Sequence, residues 1–383
     1  MTSPSGPPQG AGGFPGPGPA QGFTPGSQQG PTNGGQPAGG LQGEVHTLER
    51  AIFEVKRIIV GQDQLVERML VGLLAKGHVL LEGVPGVAKT LAVETFAKVV
   101  GGTFARIQFT PDLVPTDIVG TRIYRVGKEE FDIEVGPVMV NFLLADEINR
   151  APAKVQSALL EVMAERKVSI GGKTFPLPSP FLVMATQNPI EQEGVYALPE
   201  AQRDRFLFKL NIDYPSPEEE REIIYRMGVT PPTPKQILDP NDLLRLQNVA
   251  ANTFVHHALV DYVVRVVTAT REPEKFGMPD AKAWIAYGAS PRASLGIIAA
   301  SRALALIRGR DYVVPQDVVE VIPDVLRHRL VLTYDALADE ISAETVVNRI
   351  LQTVALPQVN AIPQQGHSVA PAMPAPAAAA SGR

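Results

Sequence analysis

Leu81-Glu82-Gly83-Val84-Pro85-Gly86-Val87-Ala88-Lys89-Thr90 is the stretch whose reading decides the fold. It follows the apolar run His78–Leu81, which reads as a short buried strand, and leads into Leu91–Val100, which reads as a helix. Strand, Gly/Pro-rich turn, Lys-Thr and helix make the architecture of a phosphate-binding loop. Gly83 and Gly86 let the backbone curl so that its N–H groups point inward, and the helix N-terminus adds partial positive charge. Lys89 is placed to reach the outer phosphates of a nucleotide, and Thr90 to offer its hydroxyl to Mg²⁺. Ala88 stands where the strict pattern has glycine. A chance Gly-rich turn ending in Lys-Thr looks the same in isolation, so the rest of the chain has to decide.

Working outward, alternating apolar runs and helical patterns surround the loop. Upstream, Val45, Leu48, Ile52, Val55 and Ile59 fall at helical spacing, from a folded start near Glu44, and Gln64–Leu74 reads as a second helix. Downstream, Phe104–Phe109, Val138–Ala145, Phe181–Ala185 and Phe206–Ile212 read as strands, and Lys154–Arg166 as a helix. Thr110–Gly120 is polar and broken by proline. Two hairpins are expected, at 121–135 around Gly127-Lys128 and at 168–177 around Gly171-Gly172. Strands alternating with helices predict an α/β fold, a parallel sheet covered on both faces.

Near Asp213–Pro217 the character changes. Glu218–Met227, Pro240–Thr253, Ala258–Arg271, Ala281–Tyr287, Ser294–Ile307, Pro315–Arg329 and Ala343–Thr353 all read as helices. The expected organisation is therefore a nucleotide-binding α/β domain over 43–213 and a small all-helical domain over 214–356. Gly/Pro/Gln-rich and Ala/Pro-rich tails at 1–42 and 357–383 hold too little apolar surface to offset chain entropy, so they are expected to be disordered.

Composition narrows the chemistry. The 383 residues contain no cysteine, which removes disulfides, thiol catalysis and thiolate metal sites. No apolar run approaches a membrane span and no N-terminal basic-plus-apolar signal is present, so a soluble cytoplasmic protein without membrane insertion is expected. The net charge of −5 argues against nucleic acid as the main partner.

Hydrolysis of a phosphoanhydride needs phosphate clamps, Mg²⁺, an oriented water and positive charge for the transition state. Asp146 and Glu147 end the apolar run at 138–145, at the strand edge where open α/β sheets bind ligands. Asp146 is placed to hold Mg²⁺ and Glu147 to polarise water; acidic residues capping the next helix would read the same way. Asn188 closes a neighbouring strand, where it could orient the water or simply make an Asx turn before Pro189. Arg205, just before the last strand, is either a finger for a neighbouring subunit or a surface ion pair with Asp204 or Glu200. Arg292 begins a helix of the second domain, where it either reaches back to the γ-phosphate or stays solvated. His256-His257 are adjacent, so on one helix they would point apart and make a poor metal pair.

The chain resembles the MoxR family of AAA+ ATPases over about 45–355. The resemblance rests on Val60-Gly61-Gln62, on GVPGVAKT at Gly83–Thr90, and on RIQFTPDLVPTDIVG at Arg106–Gly120. It continues through LLADEINRAPAKVQSALLEVMAER at Leu143–Arg166, ATQNPIEQEGVYALPEAQRDRF at Ala185–Phe206 and GASPRASL at Gly288–Leu295. Alanine before the loop lysine is common in this family. The resemblance implies a ring oligomer, usually a hexamer, that hydrolyses ATP between subunits with Mg²⁺ as cofactor. Gly83, Val84, Pro85, Gly86, Val87, Ala88, Lys89 and Thr90 would cradle the nucleotide, Thr90 and Asp146 would hold the metal, and Glu147 would complete the second Walker motif. Asn188 would be sensor one, Arg205 the trans finger and Arg292 sensor two. The hairpins would be the helix-two and pre-sensor inserts shared with magnesium chelatase ATPase subunits. Such proteins act as chaperone-like motors on protein partners, often with von Willebrand A-type domain proteins, maturing metalloenzymes or cell-envelope complexes. A DNA-directed AAA+ motor and a magnesium-chelatase-like subunit are the alternatives.

Overall fold

The computed structural model describes residues 39–84, 89–127, 129–188, 195–228 and 232–358. Most of the two expected tails, and Pro85, Gly86, Val87 and Ala88 of the loop, lie outside that range.

The α/β part runs α1 (Gly39–Ile58), α2 (Asp63–Leu74), β1 (His78–Gly83), α3 (Lys89–Val100), β2 (Phe104–Gln108) and α4 (Pro115–Val119). It continues with β3 (Gly120–Arg125), β4 (Glu130–Val135), β5 (Phe142–Asp146), α5 (Ala153–Glu165), β6 (Lys167–Ile170) and β7 (Lys173–Pro176). β8 (Leu182–Gln187), α6 (Glu200–Arg203) and β9 (Phe206–Ile212) complete it. Five strands form one sheet in the order β2-β5-β8-β1-β9, every pair parallel.

Each face of the sheet carries its own core, which is why the inner strands β1, β5 and β8 open on unbroken apolar runs while the edge strands β2 and β9 carry polar residues. Val79, Leu81, Phe142, Leu144, Leu182 and Met184 point into a core shared with α1, α2 and α3. Leu80, Leu143, Ala145, Val183 and Ala185 point the other way, against α5 residues such as Leu159 and Met163. Alternation along one chain thus fills two layers at once. β3 and β4 pair as one antiparallel hairpin and β6 and β7 as another, as expected, with Tyr124 opposite Phe131 in the first.

The C-terminal part is mainly helical: α7 (Pro217–Met227), α8 (Pro240–Asn252), α9 (His257–Ala269) and α10 (Ala281–Trp284). A short strand β10 (Ile285–Tyr287) precedes α11 (Pro291–Ile307) and α12 (Pro315–Leu326), then β11 (Val331–Leu332), α13 (Tyr334–Ala338) and α14 (Ala343–Thr353). α7 starts on a capping box, the Ser216 N–H donating to the Glu219 carboxylate at 2.7 Å and the Glu219 N–H to Ser216 Oγ at 3.3 Å.

Several local expectations change. α1 begins at Gly39 rather than near Glu44, because Leu41 packs against the core. Val138–Val140 are not strand: Val138 is buried, but its N–H bonds Ile118 and Val140 turns back onto Val138. The strand starts only after Asn141, whose Oδ1 accepts from Thr103 N and Oγ1. Thr110–Gly120 contains α4, opened by Pro115, with the Asp117 carboxylate accepting the Val114 N–H at 2.8 Å. The helix expected over Ala281–Tyr287 stops at Trp284; Ile285 and Tyr287, both good strand formers, pair instead with Leu332 and Val331. His256 lies outside α9 and caps it, accepting the Ala258 N–H on Nδ1, and its ring sits 4.1 Å from that of His257. The two rings therefore stack rather than point apart.

Candidate functional site

β1, β8, β5 and β2 are neighbours, so the ends of these four strands bring Gly83, Asn188, Asp146-Glu147 and Gln108 to one sheet edge. That edge is where ligands sit in open parallel sheets. Gly83 closes β1 opposite Ile212 of β9, and a Cβ on it would lie 2.4 Å from the Ile212 carbonyl oxygen. Close strand approach therefore demands glycine here, beyond the loop's need to curl.

Lys89 and Thr90 open α3, a twelve-residue helix. The half-buried Lys89 ammonium donates to the Gly83 carbonyl at 2.7 Å, spanning the loop from end to end. Burial pushes its pKa down, and Asp146, Glu147 and Glu82 pull it back toward the charged form. A cation held among three carboxylates at a helix N-terminus is a ready anion clamp once phosphate enters.

Asp146 ends β5. Its Oδ1 accepts from Thr186 Oγ1 at 2.5 Å, and its Oδ2 accepts from Arg106 Nε and Nη2 at 3.1 and 2.7 Å. Glu147 follows in the left-handed region, at φ 56° and ψ 49°. Its N–H donates to Thr186 Oγ1 at 2.8 Å, and its Oε2 accepts from Gln108 Nε2 and Arg150 Nε, each at 2.9 Å. Thr186 thus fixes the backbone of one acid and the side chain of the other. Gln108 is fixed in turn by Arg106, whose Nη2 donates to its Oε1 at 2.8 Å. Asn188 is buried one residue beyond β8, beside this cluster, and its carbonyl accepts from Asn149 Nδ2 at 3.5 Å. Thr90 and Asp146 offer the hard oxygen donors that suit Mg²⁺. Among the described residues no three His, Asp or Glu side chains group to hold a metal by themselves. A cation here would rely on phosphate oxygens and water as well.

Arg205 sits elsewhere. It precedes β9, whose first residue pairs with His78 and whose last pairs with Gly83. At ~3.3 Å per residue, Arg205 lies about 20 Å from its own loop, on the opposite edge of the sheet. It is exposed, and its Nη1 donates to the Leu160 carbonyl of α5 at 3.0 Å. The ion pairs considered for it are taken: Glu200 pairs with Arg203, and Asp204 with Arg329 and Arg292. Arg292 is also at this edge, its Nη1 3.5 Å from Asp204 Oδ2, beside Arg205 rather than beside Lys89 of its own chain.

Sequence reasoning missed Arg106, Gln108 and Thr186, which hold the two acids, and Arg329, which is buried against Asp204. Their spacing along the chain carried no local signal. A cleft of about 230 Å³ beside the β9 end, lined by Gln62, Leu65, Asn211, Ile212 and Arg327, was also not foreseen.

Comparison with known proteins agrees with this geometry. The ATPase family associated with various cellular activities (AAA) matches residues 78–208, and the AAA lid domain matches 280–350. The chain is 80% identical to the "Chaperone MoxR1" of Mycobacterium tuberculosis over the whole of both chains. It is 43% identical to the uncharacterised YeaC of Bacillus subtilis, covering 82% of this chain and 97% of that one. The crystal structure of a Cytophaga hutchinsonii protein with a provisional ATPase description superposes at a TM-score of 0.79. That protein is 45% identical and covers 83% of this chain and 97% of its own. Among the described residues no helix is long and apolar enough to cross a membrane.

Proposed function

This chain belongs to the MoxR family of AAA+ ATPases, and from that premise we propose that it hydrolyses ATP with Mg²⁺ at sites shared between the subunits of a hexameric ring. The turnover drives the remodelling of protein partners in the cytoplasm, as the word chaperone in its Mycobacterium relative suggests. Proteins with von Willebrand A-type domains are the expected partners, and metalloenzymes or cell-envelope complexes the expected clients.

Bound Mg·ATP supplies the scissile phosphoanhydride and the metal's charge. The phosphates would be received at the N-terminus of α3, where Lys89 would exchange the Gly83 carbonyl for them. Thr90 and Asp146 would hold the cation. Glu147, once released from Gln108 and Arg150, would accept a proton from the attacking water. Asn188 orients that water. The cleft lined by Gln62 and Ile212 adjoins the loop and is the natural seat for the base.

One observation carries the ring: Arg205 is exposed about 20 Å along β9 from its own loop, too far to act there at ~3.3 Å per residue. A cation so placed has a use in a neighbour's site, where an arginine finger contributes roughly 10³–10⁵ in rate. Arg292, at the same edge, belongs to the neighbour's site for the same reason.

The test is ATP turnover per subunit over a wide range of protein concentration, with sizing of the same samples. Turnover that climbs as rings form supports the reading. Full turnover by a sized monomer refutes it.

A further inference from the structure

Asp204, the residue before Arg205, joins three groups from the C-terminal part of the chain to the start of β9. Its Oδ2 accepts from Ser290 Oγ at 2.9 Å and lies 3.5 Å from Arg292 Nη1; its Oδ1 accepts from Arg329 Nε at 2.8 Å. Arg329 is buried and also donates to the carbonyls of Asp204, Phe206, Leu207 and Val325. Ser290 in turn caps α11, accepting the Arg292 N–H at 3.2 Å.

Burial disfavours the Arg329 charge, and Asp204 is the carboxylate that offsets it. Arg329 therefore cannot leave Asp204 cheaply, and it grips the first two carbonyls of β9. Asp204 is only partly exposed, while the Arg292 side chain it faces is mostly open to solvent. A firm anchor on one side and a loosely tethered cation on the other is what presentation of that cation requires.

We propose that Asp204 is a positioning residue that binds Arg205 and Arg292 into one unit, so that both cations are presented to the neighbouring subunit's nucleotide together. The proposal rests on the reading of a shared ATP site. Asp204 touches no nucleotide. It sets where the start of α11 stands relative to the start of β9, and so the spacing between the two guanidinium groups. A 1 Å misplacement of such groups can cost about 10² in rate.

The experiment is complementation between variants. Asp204→Asn keeps a side chain of the same size but removes the charge. Alone, it should bind a non-hydrolysable ATP analogue within about twofold of the wild type yet turn over about tenfold or more slowly, and Asp204→Glu should recover part of that loss. Lys89→Ala alone should also be slow, because its own loop fails, but its Asp204 edge is intact. Rings assembled from equal parts of the two variants pair a sound loop with a sound edge, so turnover should rise severalfold above either variant alone. A damaged fold would not be rescued by a partner. Where Asp204→Asn fails to fold, the double variant Asp204→Asn/Arg329→Met removes the buried charge with its partner and carries the same test. Wild-type turnover in Asp204→Asn, or mixed rings no faster than their components, overturns the proposal. A wild-type protein with no turnover in a sized ring overturns the shared ATP site itself, and this inference with it.

Discussion

Arg106 and Asp146, forty residues apart, meet on adjacent strands, with the guanidinium Nη2 2.7 Å from the carboxylate Oδ2. The carboxylate proposed to hold Mg²⁺ is therefore already paired with a cation. Metal and guanidinium compete for it, so Arg106→Ala should raise the apparent Mg²⁺ affinity of the nucleotide-bound protein. The ion pair is half-exposed on its arginine side and is worth about 0.2–1 kcal/mol, a gain of about 1.4-fold to fivefold. Titration of Mg²⁺ by calorimetry at fixed nucleotide reads it, and an unchanged affinity would show that Asp146 meets the metal without displacing Arg106.

Removing the side chain proposed to activate water should separate binding from turnover. Glu147→Gln is expected to keep nucleotide affinity and lose about 10²–10⁴ in rate. Lys89→Ala is expected to weaken nucleotide binding itself, and Arg205→Ala to leave binding intact while losing about 10³–10⁵ in rate. Equilibrium binding beside steady-state turnover distinguishes the three; an equal loss of affinity in all of them would mean the roles are misassigned.

Acid should destabilise the protein through buried imidazoles. His78 accepts the Val183 N–H on Nδ1 and faces the Met163 carbonyl with Nε2, and burial pushes its pKa down to about 4. Its unfolded value is near 6.5, so below pH 6.5 the unfolded chain binds the extra proton and the folded one does not. Stability is therefore complete above about pH 6.5 and lost as pH falls toward 4, by roughly 3 kcal/mol for this residue. His328, pushed well below its ordinary value by burial, adds to the same window. Urea denaturation at pH 7.5 and 5 should show the fall, and His78→Gln should make it shallower.

The link between α2 and α12 is a buried ion pair. Arg68 Nε donates to Asp324 Oδ2 at 2.7 Å, with both side chains almost wholly enclosed. Asp324→Ala leaves the guanidinium buried without this partner and should cost about 3–5 kcal/mol. The paired replacement Arg68→Met/Asp324→Leu should recover most of that loss. Denaturant midpoints would decide, and a loss under 1 kcal/mol from Asp324→Ala would mean that Glu67 and Glu320 suffice to hold the charge.

The strands and the acids at their ends were legible because burial on two faces writes itself into a local run of apolar residues. His78–Leu81 and Phe142–Ala145 show this directly. The same signal misled at Val138–Val140, where the side chains are buried but the backbone turns. At Ile285–Tyr287 a two-residue pairing with Val331 and Leu332, far along the chain, overrode a helical pattern. The partners of the acids were illegible for a related reason. Arg106 meets Asp146, and Arg329 meets Asp204, only because the sheet order brings them together, and no spacing within a segment encodes that. The position of Arg292 beside Asp204 is of the same kind.

Glu147 stands at φ 56° without being glycine, a conformation that costs about 1–3 kcal/mol and is held by its N–H bond to Thr186. A protein engineer screening for heat resistance would find Glu147→Gly attractive there, since glycine adopts that conformation freely. The screen would reward the loss of the carboxylate proposed to activate water. Selecting this chain for robustness alone would, on the proposed role of Glu147, favour variants that fold and bind nucleotide but no longer turn it over.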